Sequence, residues 1–398
     1  MRNRRRLVLG AALAALALTT TACTFENAGG ATASPDATAG PPEHVSAILV
    51  QPLGDGQVVR GTDEMDHVEY SLLVVNVFSD PVTLSAVTVV DAAGDELMTV
   101  DGDTLAAATQ SLYTHAPSAV VEASAAVAVE VDLVVPPGEV PETVTHRIEY
   151  TLPDGIAGAA IIDGYTVNGP QVAIDRSEAI VIAPPLAGDG WLATSACCSP
   201  NVHRDLRLAA GGLRMATAEV FAVDWARVEG NRVYEGDGSA NEMFYGFGAD
   251  VLAVADGTVV AAQDGVEESI PFASVPPTTK AGFGGNQIIL EIAPGVYAAY
   301  AHLQPGSLAV EVGDTVRTGD VLAKLGNTGP SQGPHLHFGL LDTPDLFVGQ
   351  SLPFVLEALT LVGTVDISAV TGDELDIEPA SGELREVYPL YETIVNFP

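Results

Sequence analysis

The sequence predicts an all-β protein, with an N-terminal immunoglobulin-like β-sandwich followed by a second, antiparallel β-sheet domain. Three observations carry this. Short runs rich in Val, Ile, Thr and aromatic residues recur along most of the chain, among them "YSLLVVNV", "AVAVEVDLVV" and "NQIILEIA". Turn chemistry such as "GDG", "AAGDE" and "PDG" separates them at regular intervals. At 398 residues the chain is also too long for one ordinary core.

The elements follow in order. Arg2, Arg4, Arg5 and Arg6 precede an uncharged run from Leu7 to Ala22 that ends in "TTTAC". That pattern predicts a secretory leader, residues 1–23, with a lipoprotein-like cleavage box and lipidation of Cys23. The run is short for a membrane span, which needs roughly 20 apolar residues. Residues 24–43, "TFENAGGATASPDATAGPPE", have almost no apolar bulk and read as a flexible tether. Residues 44–182 hold the short strands of the sandwich. Its histidines, His44, His67, His115 and His146, share no spacing and read as exposed or structural.

A Pro/Gly joint, "APPLAGDG", leads into residues 190–345. Here "VLAVADGTVVAAQDG" reads as strand, turn, strand, and "NQIILEIAPGVYAAYAHL" as a hairpin. "VGDTVRTGDVLAKLG" has the look of a lipoyl or biotinyl carrier hairpin, but Lys324 falls inside a strand, whereas carrier lysines sit at a turn tip. Residues 346–398 form a C-terminal extension expected to pack on the second domain, with one weakly helical apolar run, "SLPFVLEALTLVG".

Composition narrows the function. There are 52 acidic residues against 16 basic ones, a formal charge of -36, and no basic cluster beyond the leader. Nucleic acid is thereby an unsuitable partner, and anionic lipid would repel the body, leaving an acyl chain on Cys23 as the membrane tether. The expected location is the outer face of the cell membrane. Beyond Cys23 only Cys197 and Cys198 remain. They allow a vicinal disulfide but lack the C-x-x-C spacing of structural zinc sites. "EGDGSANE" lacks the spacing of a calcium loop and reads as a plain turn, and the aromatics of "NEMFYGFG" suit either a groove or simple packing.

The chemistry concentrates in "SQGPHLHFGL". In a strand, residues i and i+2 share a face, so His335 and His337 present two imidazoles together while Leu336 and Phe338 point into the core. A hydrolytic zinc site needs three protein donors and an open position, so two histidines do not suffice. The second region has two more, His203 and His302.

"GPHLHFGL", "YAAYAHLQPG", "VLAVADGTVV" and "VEVGDTVRTGDVLAKLGNTG" form an ordered set over residues 248–340. This set resembles the lysostaphin/LytM-type zinc metalloendopeptidases, peptidoglycan hydrolases with a duplicated hybrid motif fold. The resemblance implies one Zn2+ held by His203, Asp224 and His337, with His302 and His335 flanking the bound water. The family's usual H-x-x-x-D pair is broken here. Asp224 in "FAVDW" matches the aspartate, but Val220 stands four residues before it. His203, in "NVHRDLRL", is expected to swing in from a preceding strand. The implied function is a lipid-anchored endopeptidase acting on peptidoglycan cross-links. The alternative is a non-catalytic relative that binds wall peptide or regulates another hydrolase.

Overall fold

Alternation between apolar and polar residues sets the strands of the first region, as in Thr143–Thr151, where every second side chain is buried. The computed structural model describes residues 44–398 apart from 113–115, 213, 274–275, 277–278, 281 and 368–373. The expected leader, tether and Cys23 lie outside the described residues, as does His115.

Two antiparallel ladders build the first region. One is organised on Asp66–Asn76 and Ala126–Val135, the other on Val82–Val90 and Thr143–Thr151. Strand Val172–Asp175 links them, antiparallel to Thr143–Thr151 and parallel to Gly56–Arg60. Their shared core includes Val68, Leu72, Val129, Leu133, Ile148 and Tyr150.

The pair Asp66–Asn76 and Ala126–Val135 departs from simple alternation, because both of its faces are covered. Val68, Leu72 and Val74 enter the core shared by the two ladders. Glu69 and Glu130 face the other way and are nonetheless buried, at 2% and 4% exposure, against residues of the second region.

The second region is organised on one long antiparallel sheet. Reading across it, Gly257–Gln263, Asn286–Ala293, Val296–Leu303, Leu336–Leu341, Val223–Arg227, Gly188–Ser195 and Thr393–Phe397 lie side by side. The hairpin from Asn286 to Leu303 turns at Pro294–Gly295, with Gly295 at a φ of 76°, a left-handed conformation that glycine adopts without strain. Trp191, Phe221, Trp225, Tyr300, Phe338 and Phe354 fill the core beneath this sheet.

The C-terminal extension corrects the sequence reading. The run expected to be weakly helical forms strands Ser351–Leu352, Phe354–Leu356 and Leu359–Val365. Phe354–Leu356 pairs in parallel with Ile180–Ile182, and Leu359–Val365 pairs with Thr393–Phe397. Pro353 lacks an N–H and interrupts the run between two short strands. Partners distant in sequence therefore decide the conformation of this segment, overriding its local spacing.

Lys324 ends the strand Val321–Lys324 and its Nζ lies 2.6 Å from Asp250 Oδ1, a surface ion pair away from any turn tip. Cys197 and Cys198 are joined to each other in a disulfide. In the first region His67 sits between Asp63 and Asp132, His146 accepts from Tyr70 Oη at 2.8 Å, and His44 meets Thr166 O.

Candidate metal centre

Three adjacent strands bring the site together by register. Asp224 on Val223–Arg227 stands opposite His337 on Leu336–Leu341, and His337 stands opposite Ala301 on Val296–Leu303. Val223 and Trp225 are buried in the core, so the period of 2 turns Asp224 to the opposite face. Leu336 and Phe338 are likewise fully buried, which leaves His335 and His337 together on the Asp224 side. His335 Nδ1–H donates to Gly333 O at 2.8 Å, with Ser331 Oγ at 3.2 Å, in the turn that opens the strand.

His302 reaches the same place by breaking the period. Tyr300 is in the core, so regular alternation would send His302 there as well. Instead Asn286 pairs with Leu303 while Ile288 pairs with Tyr300, so three steps on one strand face two on the other. This is a β-bulge, and His302 carries a left-handed φ of 62° within it. Leu303 takes the core position, and the His302 ring lies 4.7 Å from that of His335, centroid to centroid. A non-glycine residue held in this conformation costs about 1 kcal/mol or more and is concentrated at functional sites.

His203 arrives from a helical turn, Val202–Asp205, and not from the strand expected of it. Asn201 caps that turn by accepting from His203 N at 2.9 Å, while its Nδ2 donates to Ala196 O. His203 Nδ1–H donates to Ala222 O at 3.1 Å, which fixes Nε2 as the nitrogen that faces Asp224.

The donors converge. His203 Nε2 lies 3.1 Å from Asp224 Oδ2, and His337 Nδ1 lies 3.0 Å from Asp224 Oδ1. One atom from each of His203, Asp224 and His337 falls within 4.8 Å of the others. Two imidazoles and a carboxylate are the donor chemistry of a hydrolytic zinc site. His335 Nε2 stands 3.5 Å from Asp224 Oδ1. A cavity of about 400 Å³ opens over the group, walled by Val202, Leu206, Phe283, Pro330, Gln332 and Leu346.

The electrostatics follow from crowding four imidazoles around one buried carboxylate. Burial works against ionising Asp224, but its interactions with His203 and His335 overcome it and hold the carboxyl well below its usual range. Burial also opposes charge on His203, yet Asp224, with help from Glu219, raises it to about 9. His302 goes the other way, pushed down to about 3 by burial and then by His335 and His337. At neutral pH His302 is therefore uncharged, with Nδ1–H donating to Thr328 O at 2.7 Å and Nε2 carrying the lone pair.

Sequence reasoning missed Glu219. It is 6% exposed, lines the cavity and places Oε1 3.9 Å from His337 Nε2. It precedes Asp224 by five residues, an odd separation across a turn, and no strand or helix period singles it out. The aromatics of "NEMFYGFG" are not part of the cavity wall: Phe244 packs on Tyr234 and Phe272.

Residues 240–345 match Peptidase family M23. A protein of Haemophilus influenzae described as an uncharacterized metalloprotease is 36% identical over 88 residues, 22% of this chain and 17% of that protein. The chain thus spans about a sixth of that relative's length. Among solved structures, the catalytic domain of the antimicrobial peptidase lysostaphin from Staphylococcus simulans is similar at 27% identity. It covers 31% of this chain and 86% of its own, with a TM-score of 0.20. A zinc-containing peptidase from Vibrio cholerae is similar at 11% identity, covering 76% of this chain and 83% of its own, with a TM-score of 0.22.

Proposed function

Because the chain carries a domain of peptidase family M23, we propose that it is a zinc metalloendopeptidase, with His203, Asp224 and His337 as metal ligands. The observation that carries this is the convergence of those three donors within 4.8 Å, with two more histidines beside them. Zinc bound there would lower the pKa of a coordinated water and polarise the scissile carbonyl.

The remaining work belongs to the protein. His335 is oriented by Gly333 O and Ser331, so its Nε2 faces the centre as a proton acceptor that later returns the proton to the leaving amine. His302, held neutral and anchored on Thr328 O, supplies a second ring at the edge of the cavity. The apolar part of the cavity wall, Val202, Leu206, Phe283, Pro330 and Leu346, suits a peptide with small or uncharged side chains.

Peptide cross-links of peptidoglycan are the proposed substrate, reached from the outer face of the membrane by a chain anchored through lipid on Cys23. Complete ligands together with both flanking histidines favour catalysis over mere binding of wall peptide. The test is zinc content and hydrolysis of cross-linked peptidoglycan by the full chain. Wild type is expected to hold one zinc and release cross-bridge termini, and His337→Ala to lose both. A wild-type protein without zinc, or an unaltered His337→Ala variant, would overturn the proposal.

A further inference from the structure

The turn that supplies His203 is too short to hold itself. Four residues form one helical turn, below the length at which a helix is stable alone. One capping side chain, Asn201, secures its start. What secures the far side comes from the other region of the protein. Arg204 points away from the metal centre into the outer face of the sandwich, where its Nη2 lies 2.5 Å from Glu69 Oε2 and its Nε 3.5 Å from Glu130 Oε2. Arg207 follows, with Nη2 2.6 Å from Glu130 Oε1 and 3.2 Å from Ser71 Oγ, and Nη1 3.2 Å from Gln110 Oε1. The side chains of Arg204, Arg207, Glu69 and Glu130 are between 1% and 3% exposed.

We infer that Glu69 and Glu130 are positioning residues for the metal centre: through Arg204 and Arg207 they clamp the turn that carries His203. This inference rests on the reading of His203 as a ligand and adds that the sandwich region helps to build the site. Two features support it. The first ligand of this chain does not come from the turn just before the aspartate strand, where Val220 stands four residues ahead of Asp224, so its segment needs another anchor. Also, a buried ion-pair network is a poor source of net stability, because desolvation offsets the attraction, and in some proteins such groups serve conformational specificity instead. Glu69 and Glu130 are held ready for that role, since they stand on adjacent strands whose register sets Glu69 opposite Asp132 and Ser71 opposite Glu130. Arg204 Nη1 also donates to Cys198 O, tying the turn to the segment before it.

The test is a double-mutant cycle on the full-length protein, reading zinc affinity by competition with a chromophoric chelator and, separately, the melting temperature of the metal-free protein. Glu130→Gln is expected to weaken zinc binding at least tenfold in the wild-type background. In a His203→Ala background it is expected to change the residual affinity less than twofold. Val131→Ala, on the same strand but facing the sandwich core, is expected to lower the melting temperature and leave zinc affinity as it was. Should Glu130→Gln fail to fold, Arg204→Lys keeps the charge, loses the fork and is expected to act in the same direction. Unchanged zinc affinity in the clamp variants, or an equal loss with and without His203, would overturn the clamp. Failure of the underlying reading looks different: His203→Ala would then bind zinc as well as wild type does.

Discussion

Replacing Glu219 by Gln tests the electrostatics of the centre at a residue that makes no claim to be a ligand. His337 Nδ1 faces Asp224 at 3.0 Å, so metal ligation through that nitrogen leaves Nε2–H directed at Glu219 Oε1, 3.9 Å away. A carboxylate behind a ligating imidazole orients the ring and raises its basicity, and losing such a partner costs about 10–100-fold in metal affinity. The separation exceeds a direct hydrogen bond, which belongs at about 2.7–3.2 Å, so the low end applies. The expected loss is about tenfold, or ~1.4 kcal/mol. Glu219→Gln keeps the shape and the acceptor but removes the charge. Chelator competition at pH 7 reads the affinity, and hydrolysis at saturating zinc should stay near wild type. An affinity unchanged within twofold would refute the argument, and so would a loss of hydrolysis that saturating zinc does not restore.

Other perturbations separate the roles. His335→Ala is expected to retain one zinc and lose hydrolysis by about 10²–10⁴-fold, the usual contribution of a positioned acid/base group, as read by metal analysis and steady-state rates. Phe338→Ala removes a fully buried ring packed between Tyr300 and Phe354 and is expected to cost about 3–5 kcal/mol in denaturant unfolding. His146 supplies a pH dependence outside the centre. Burial lowers it from 6.5 to about 4, against a smaller opposing effect of Pro170 O, so the unfolded chain binds the extra proton first. Stability from this group is full above pH 6.5 and falls by about 3 kcal/mol as the pH drops to 4. His146→Gln should flatten that part of the stability profile, measured by urea unfolding at pH 7, 5.5 and 4.

Much of the architecture was legible because strands announce themselves by alternation and turns by Gly, Asp and Pro. The period of 2 alone separates His335 and His337 from Leu336 and Phe338. What escaped the sequence depends on long-range pairing. The run at 351–363 carries helix-like spacing, yet Ile180–Ile182 and Thr393–Phe397 recruit it into sheets. The bulge that turns His302 onto the site leaves no mark in "YAAYAHL" beyond the motif itself. Glu69 and Glu130 are carboxylates within apolar strand runs, and the arrival of Arg204 and Arg207 from a remote segment accompanies their burial. His203 likewise joins Asp224 across 21 residues through a turn and a cap that no short motif encodes.

The proposed metal site depends on His203, which stands outside the usual motif. A crystal structure of the zinc-loaded protein, with anomalous difference density at the zinc edge, tests it most directly. One zinc peak is expected at about 2.0–2.2 Å from His203 Nε2, His337 Nδ1 and a carboxylate oxygen of Asp224. Zinc bound at Asp224 and His337 with His203 out of contact, or zinc elsewhere in the molecule, would contradict it.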